Sequence, residues 1–441
     1  MGTQAQVAQL QQGPQLPHWG LTSRVAFRFC VVYFGLYCLL TQIAAGLLPI
    51  PDFDNIPDPS TLWPTRQIVT WTATHVFRVT HPLVYFSGSG DKIFDWVLAF
   101  CLLVVTTVAT IIWSLLDRRR QNYFTLHKWF RLFLRFALAG QMLAYGMAKV
   151  VPLQMPFPYL TRLLEPFGNF SPMGVLWSSV GAAPAYETFA GSAEVLAGIL
   201  LIIPRTTMLG AMVCLADSIQ IFTLNMTYDV PVKLFSFHLI LMCLFLLAPE
   251  FQRLADFFFL NRTPGPSTQL PLFVTRRANR ISLAVQIIFG MLLLGTNAYG
   301  SWNLWHTFGG GAPRSALYGI WNVDQFAIDG QLRSPLLTDG GRWRRAIFEF
   351  PTRMAFQRMD DSFARCAASL NVNDKTLELT RDDDKNWKAH FRFQRVSENQ
   401  LTLDGDMDSH KVHMQLQLVD RKTFLLVNRG FHWVQEYPFN R

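Results

Sequence analysis

The chain has 441 residues, of which 50% are hydrophobic and only 16% charged; a soluble globular domain carries roughly 25% charged residues, so an ordinary soluble protein is excluded and a membrane protein of two or three domains is indicated. The formal net charge is +9, yet the basic residues cluster beside apolar segments and form no stripe with interleaved aromatics, which excludes a nucleic-acid partner and marks them as topogenic signals. Cys30, Cys38, Cys101, Cys214 and Cys243 sit in apolar runs and Cys366 stands alone; without a CxxC pair or Cys/His ligand spacing, no dithiol, iron–sulfur or zinc centre is expected, and the cysteines read as packing residues.

Residues 1–22 form a polar, Gln-rich tail. Residues 23–130 are expected to hold two spans and an external interfacial loop. The first span, 29–48, is uncharged and too long for a signal-peptide core, so it should remain uncleaved. A proline-rich stretch follows, then a mildly amphipathic run, 62–79, carrying His75 and leading to His81; it suits the membrane interface, and the six-residue spacing of the histidines does not suit a metal. The second span, 96–116, runs straight into Asp117, Arg118, Arg119 and Arg120, with Lys128, Arg131 and Arg135 close behind. Spans at 132–151, 186–203, 208–224 and 231–248 come next, the last opening on Pro231 as a first-turn proline. Between the first two of these lies a Pro/Gly-rich connection, 152–184, in which a short interfacial or re-entrant helix is expected. A basic loop at 250–280 then leads to a seventh span, 281–299, and a linker, 300–311.

Placing both basic loops inside puts the N-terminus in the cytoplasm and everything after residue 299 outside an inner (cytoplasmic) membrane. From residue 312 the pattern changes to alternation, with strands at 343–350, 376–380, 387–393, 401–403 and 412–418 separated by Asp/Asn/Gly turns. The expected fold class is therefore an α-helical membrane protein of about seven spans with an exported all-β C-terminal domain at 312–441, an antiparallel meander closed into a barrel or paired as a sandwich.

Lys149, Glu187, Glu194, Asp217 and His238 interrupt the apolar segments between 131 and 249. Ionisable side chains are costly in a span, so their recurrence in consecutive helices points to a shared polar pocket. Glu194 lies about 12 Å into its helix at 1.5 Å per residue, and Lys149, Asp217 and His238 fall at similar depth from the same face. Glu187 and Glu194, seven residues apart, share a helix face; Glu187, nearer the surface, is the expected partner of Lys149. Gln141 and Tyr145 lie on the Lys149 helix, while Asn225, Tyr228 and Asp229 belong to a polar lip at 225–233. The bland alternatives are a snorkelling lysine, a hydrogen-bonded core histidine and an ordinary interfacial turn.

Gly-Met-Ala-Lys ending at Lys149, Gly-Ser-Ala-Glu-Val-Leu-Ala-Gly around Glu194 and Arg205 at the following turn make residues 131–249 resemble the DoxX-like four-helix membrane family. That resemblance implies a small membrane subunit of the kind that accompanies thiosulfate:quinone oxidoreduction, thiol handling or envelope assembly, with redox partner subunits. In the β domain, Gly319 and Trp321 opening the first strand, with Arg429 late in the chain, resemble the lipocalin and calycin pattern, in which a late arginine covers the tryptophan at the closed end of the barrel. No haem, flavin or nicotinamide motif is present; the cofactor is left unassigned, with a quinone among the aromatic residues as the candidate and His238 and Asp217 as its proton partners. The function expected is a quinone-linked or redox-associated membrane subunit. Its alternative is a non-enzymatic protein that handles lipid or another hydrophobe through the β domain.

Overall fold

The computed structural model describes residues 18–48, 58–267 and 269–440; most of the polar tail lies outside the described residues. Two compact units appear, and they do not follow chain order: one comprises residues 1–150 and 189–301, the other 151–188 and 302–441.

The first unit is helical. Its main helices are α1 (Leu21–Leu40), α2 (Gln42–Ala45), α3 (Thr65–His75), α4 (Ile93–Leu116) and α5 (Phe124–Val150). After the second unit's helices α6 (Leu160–Leu164) and α7 (Pro172–Gly181) come α8 (Pro184–Ile202), α9 (Thr207–Thr227), α10 (Lys233–Leu247), α11 (Phe251–Phe258) and α12 (Arg276–Phe308). Among the described residues six helices are long and apolar enough to cross a membrane: α1, α4, α8, α9, α12 and the run from α10 into α11. The expected third span, 132–151, folds as the latter part of the 27-residue α5, whose Lys128, Arg131, Arg135 and Lys149 leave it less apolar than those six. The first span begins eight residues earlier than expected and breaks at Thr41, and α10 starts at Lys233, so Pro231 precedes the helix instead of occupying its first turn. That start is capped from elsewhere in the chain: the Asp91 carboxylate accepts hydrogen bonds from the Lys233 and Leu234 N–H groups at 2.8 and 2.9 Å, where a helix N-terminus favours a negative charge.

Arg135, read from sequence as a topogenic signal, and Arg28 of α1 also close helix ends. Arg28 donates to the Asp117 carbonyl just past α4, and to Ser114 Oγ and Tyr123 Oη, each at 2.8 Å. Arg135 donates to the Leu201 and Ile202 carbonyls of α8 at 2.9 and 2.7 Å. Both are buried, and both place positive charge where the last carbonyls are unpaired.

The second unit is a closed antiparallel barrel of eight strands, carrying the connection 151–188. The strands are β1 (Gly319–Ile328), β2 (Gln331–Leu332), β3 (Trp343–Phe350), β4 (Arg353–Arg358), β5 (Phe363–Asn371), β6 (Thr376–Arg381), β7 (Lys388–Ser397), β8 (Gln400–Met407) and β9 (His410–Leu418). Each pairs with the next, except that the two-residue β2 only folds back antiparallel on the end of β1 and β3 pairs with β1 directly; β1–β9 pairing, from Trp321 opposite Leu418 to Ile328 opposite Val412, closes the ring and removes its edges. The sandwich alternative is thereby set aside. Inward positions are filled by Trp321, Phe326, Trp343, Phe391, Leu403 and Met414, all essentially inaccessible, with Trp343 stacked on Phe356 at 4.2 Å. Of the connection, the expected short helix forms as α7, capped by Ser171, and the Leu160 side chain of α6 packs on Ile320 and Ile347 of the barrel.

Candidate functional site

The ionisable residues of the apolar helices separate into groups. Lys149 near the end of α5 pairs with Glu194 of α8, not with Glu187; the Glu194 residue is 1% exposed and Lys149 8%. The reason for the change of partner lies in two glycines. A Cβ added to Gly191 would lie 2.6 Å from both the Gly146 carbonyl oxygen and the Lys149 Cβ, and one on Gly146 would lie 2.9 Å from the Gly191 carbonyl oxygen. The backbones of α5 and α8 therefore touch at these small residues, as closely packed membrane helices do, and Lys149 meets the next turn of α8, where Glu194 sits. Glu187 instead accepts a hydrogen bond from the Met155 N–H at 2.8 Å, within the 151–188 segment.

Asp217 of α9 belongs with the ion pair, for the charges of both Glu194 and Lys149 act on it. One oxygen of each carboxylate, Glu194 Oε2 and Asp217 Oδ2, is buried with no hydrogen-bond partner among the described residues. Such an oxygen retains its desolvation cost until a donor reaches it. Lys149, Glu194 and Asp217 are thus a buried group with spare acceptor capacity.

His238 is held by the first helix. Its Nδ1 lies 2.7 Å from the Leu234 carbonyl oxygen, which can only accept; in the neutral ring Nδ1 carries the hydrogen, and Nε2, 2.8 Å away, accepts from the Tyr33 hydroxyl. The Tyr37 ring stacks on the imidazole at 3.8 Å and 4°. Tyr33 and Tyr37 were not singled out from sequence, although their four-residue spacing inside an apolar run puts both on one helix face. Gln141 and Tyr145 turn toward Gln42, whose Nε2 lies 3.4 Å from Gln141 Oε1 and 2.8 Å from Tyr145 Oη. The polar lip is bonded to itself and to the start of α10: Asn225 Nδ2 donates to Ser236 Oγ at 3.0 Å, Asp229 pairs with Lys233 at 2.8 Å, and Tyr228 is the C-cap of α9.

The thiols change their reading. Cys214 Sγ of α9 and Cys243 Sγ of α10 are 3.3 Å apart, a pairing hidden by a separation of 29 residues and the lack of any CxxC motif. A separate cavity of about 530 Å³ at the basic ends of α1 and α5 is lined by Trp19, Phe27, Phe124, His127, Lys128 and Phe245, among others.

In the barrel, Gly319 has φ +144°, and a Cβ there would meet Leu418 at 2.5 Å, so this position favours glycine. Trp321 is fully buried and its Nε1 donates to the Leu317 carbonyl at 2.9 Å. The arginine over its ring, 5.9 Å from the centroid, is Arg395 of β7. Arg429 is not that residue: it lies past the last strand, bonded to His432 and Gln435, because the chain leaves the barrel after β9.

No protein-family model matches the chain, and no solved structure does. The chain is similar to the uncharacterized protein YwoB of Bacillus subtilis (strain 168), with 38% identity over 118 residues, which are 27% of this chain and 72% of that protein. Through that shared region the chain belongs to the family of YwoB.

Proposed function

We propose that this protein is a DoxX-like, quinone-linked membrane subunit of a redox system in the cytoplasmic membrane, with Lys149, Glu194 and Asp217 forming its polar pocket. The observation that carries the reading is the pair of buried carboxylate oxygens without hydrogen-bond partners, Glu194 Oε2 and Asp217 Oδ2, beside the Lys149 ammonium. Reducing a quinone takes two electrons and two protons. An ammonium can donate to a quinone carbonyl, while carboxylates with spare acceptor positions can receive the quinol hydroxyls. Redox partner subunits would supply the electrons.

The orientation proposed is N-terminus inside and barrel outside. Residues 151–188 and 302–441 belong to one unit, and α8, α9, α10 and α12 separate them in the chain; four crossings bring the chain back to the side it left. A crossing by α5 then puts the Arg118–Arg120 cluster on the same side as the basic 250–280 loop, as the distribution of positive charge in membrane proteins favours.

A lipocalin-like role in carrying a hydrophobe has less support, because Trp321, Trp343, Phe356 and Phe391 fill the barrel that would have to be hollow. The test is quinone binding to the purified, reconstituted full chain. Glu194→Gln and Asp217→Asn are each expected to weaken binding of the reduced form, decylubiquinol, whose hydroxyls donate to the carboxylates, about tenfold or more, the loss of roughly one charge-assisted hydrogen bond. Unchanged affinity in both variants, or no quinone bound by the parent chain, overturns the proposal.

A further inference from the structure

Sulfur atoms 3.3 Å apart, on neighbouring helices and both 0% exposed, have little to travel to become a bond of about 2.05 Å. Their surroundings are chemically suited to that. Asp217 follows Cys214 by three residues, so it shares that face of α9. Its Oδ2 is buried without a hydrogen-bond partner among the described residues. Ser218 Oγ lies 4.0 Å from Cys214 Sγ. A carboxylate next to a thiol pair supplies what such a pair needs for oxidation, an acceptor for the first thiol proton, since the thiolate is the reactive form. Beyond Asp217, Glu194 and Lys149 continue the line of ionisable groups across α8 and α5.

We propose that Cys214 and Cys243 form a reversible dithiol–disulfide centre that delivers two electrons to a membrane-soluble quinone, an inference that rests on the quinone reading for its acceptor. In the forward step two S–H bonds break and one S–S bond forms. The two electrons and two protons released convert the quinone to its quinol, the protons passing by way of Asp217 and Glu194. Depth selects the acceptor class: Cys214 lies seven residues into α9, about 10 Å from its start at 1.5 Å per residue, where a lipid-soluble oxidant arrives and a bulky water-soluble one does not.

The experiment uses the full chain in phospholipid nanodiscs, reduced and desalted, then exposed without oxygen to decylubiquinone or, separately, to the small thiol oxidant diamide. Samples are denatured in alkylating reagent and their disulfides mapped by peptide mass spectrometry, while quinol is followed by absorbance. The expected result is a Cys214–Cys243 disulfide in both arms, with one quinol formed per disulfide in the quinone arm. Cys214→Ser and Cys243→Ala each abolish both signals, and Asp217→Asn slows quinol formation by about tenfold or more while leaving the diamide-driven bond intact. If both thiols of the parent chain remain alkylatable after diamide and after decylubiquinone, the dithiol centre is overturned. A disulfide with diamide but no quinol with decylubiquinone overturns the electron transfer to quinone; a chain that nevertheless binds decylubiquinone keeps the quinone-site reading.

Discussion

Lys149 without Glu194 would be an ammonium in an apolar interior, and taking away one partner of such a pair costs more than taking away both. Lys149→Met is therefore expected to destabilise the helical unit by about 3 to 5 kcal/mol, and Lys149→Met combined with Glu194→Leu by clearly less; denaturant titration in mild detergent measures both. The presence of a buried charge group was legible in the sequence, because ionisable residues stood out against apolar runs. Its pairing was not: Glu187 and Glu194 share a face, and only the contact of Gly146 with Gly191 decides which turn of α8 Lys149 meets. In the barrel, Glu349 accepts the Leu160 N–H at 3.2 Å on each carboxylate oxygen, and burial pushes its carboxyl up to about 7, against the opposing effects of that hydrogen bond and of Arg421 and Arg314. The folded state thus holds this proton more tightly than the unfolded chain, whose glutamates titrate near about 4.3. Stability contributed at this site is greatest below that value and declines as pH rises toward about 7, where it levels off. Melting of the barrel unit between pH 4 and 8 should show the decline, and Glu349→Gln should flatten it.

Helix positions were largely readable from apolar length, whereas helix ends were not, because their caps come from distant residues. Asp91 caps α10 from 142 residues away, and Arg135 closes α8 from 66 away; in sequence the first is an undistinguished loop acid and the second one more positive charge beside a span. Asp91→Ala should cost about 1 kcal/mol, seen as a lower midpoint of thermal unfolding, with Asp91→Asn recovering part of it. The α5–α8 crossing offers a sharper test of an element contact. In Gly191→Val the new Cβ would have to occupy space 2.6 Å from the Gly146 oxygen, and in backbone-to-backbone contact nothing flexible can yield. The helices must move apart, separating Lys149 from Glu194. The expected outcome is a loss of stability at least as large as that of Lys149→Met, with little further loss when Lys149→Met is added, because the pair is already broken.

Alternation of apolar and polar residues exposed five strands of the β domain, β3 with the limits the structure gives it, but β4 and β5 were not legible as strands, and ring closure depends on β1 meeting the distant β9, which no local pattern encodes. The same holds for the arginine over Trp321: position in sequence suggested Arg429, while barrel geometry brings Arg395. The membrane topology turns on α5, the helix in which the buried Arg135 and Lys149, with Lys128 and Arg131, reduce apolarity. Single cysteines placed in a cysteine-free background at the exposed Gln121, Gly168 and Ser397 and probed with a membrane-impermeant maleimide separate the alternatives. Gly168→Cys and Ser397→Cys should label from the same side if each of the four helices α8, α9, α10–α11 and α12, all long and apolar enough to cross a membrane, makes one crossing. If α5 crosses, Gln121→Cys is protected when those two are labelled in intact cells. Labelling of all three from one side would instead keep α5 on the barrel's side of the membrane and separate the Arg118–Arg120 cluster from the 250–280 loop. The distribution of positive charge favours the first pattern, because it gathers both basic segments at the cytoplasmic face and leaves Lys149, near the far end of α5, paired within the apolar helices.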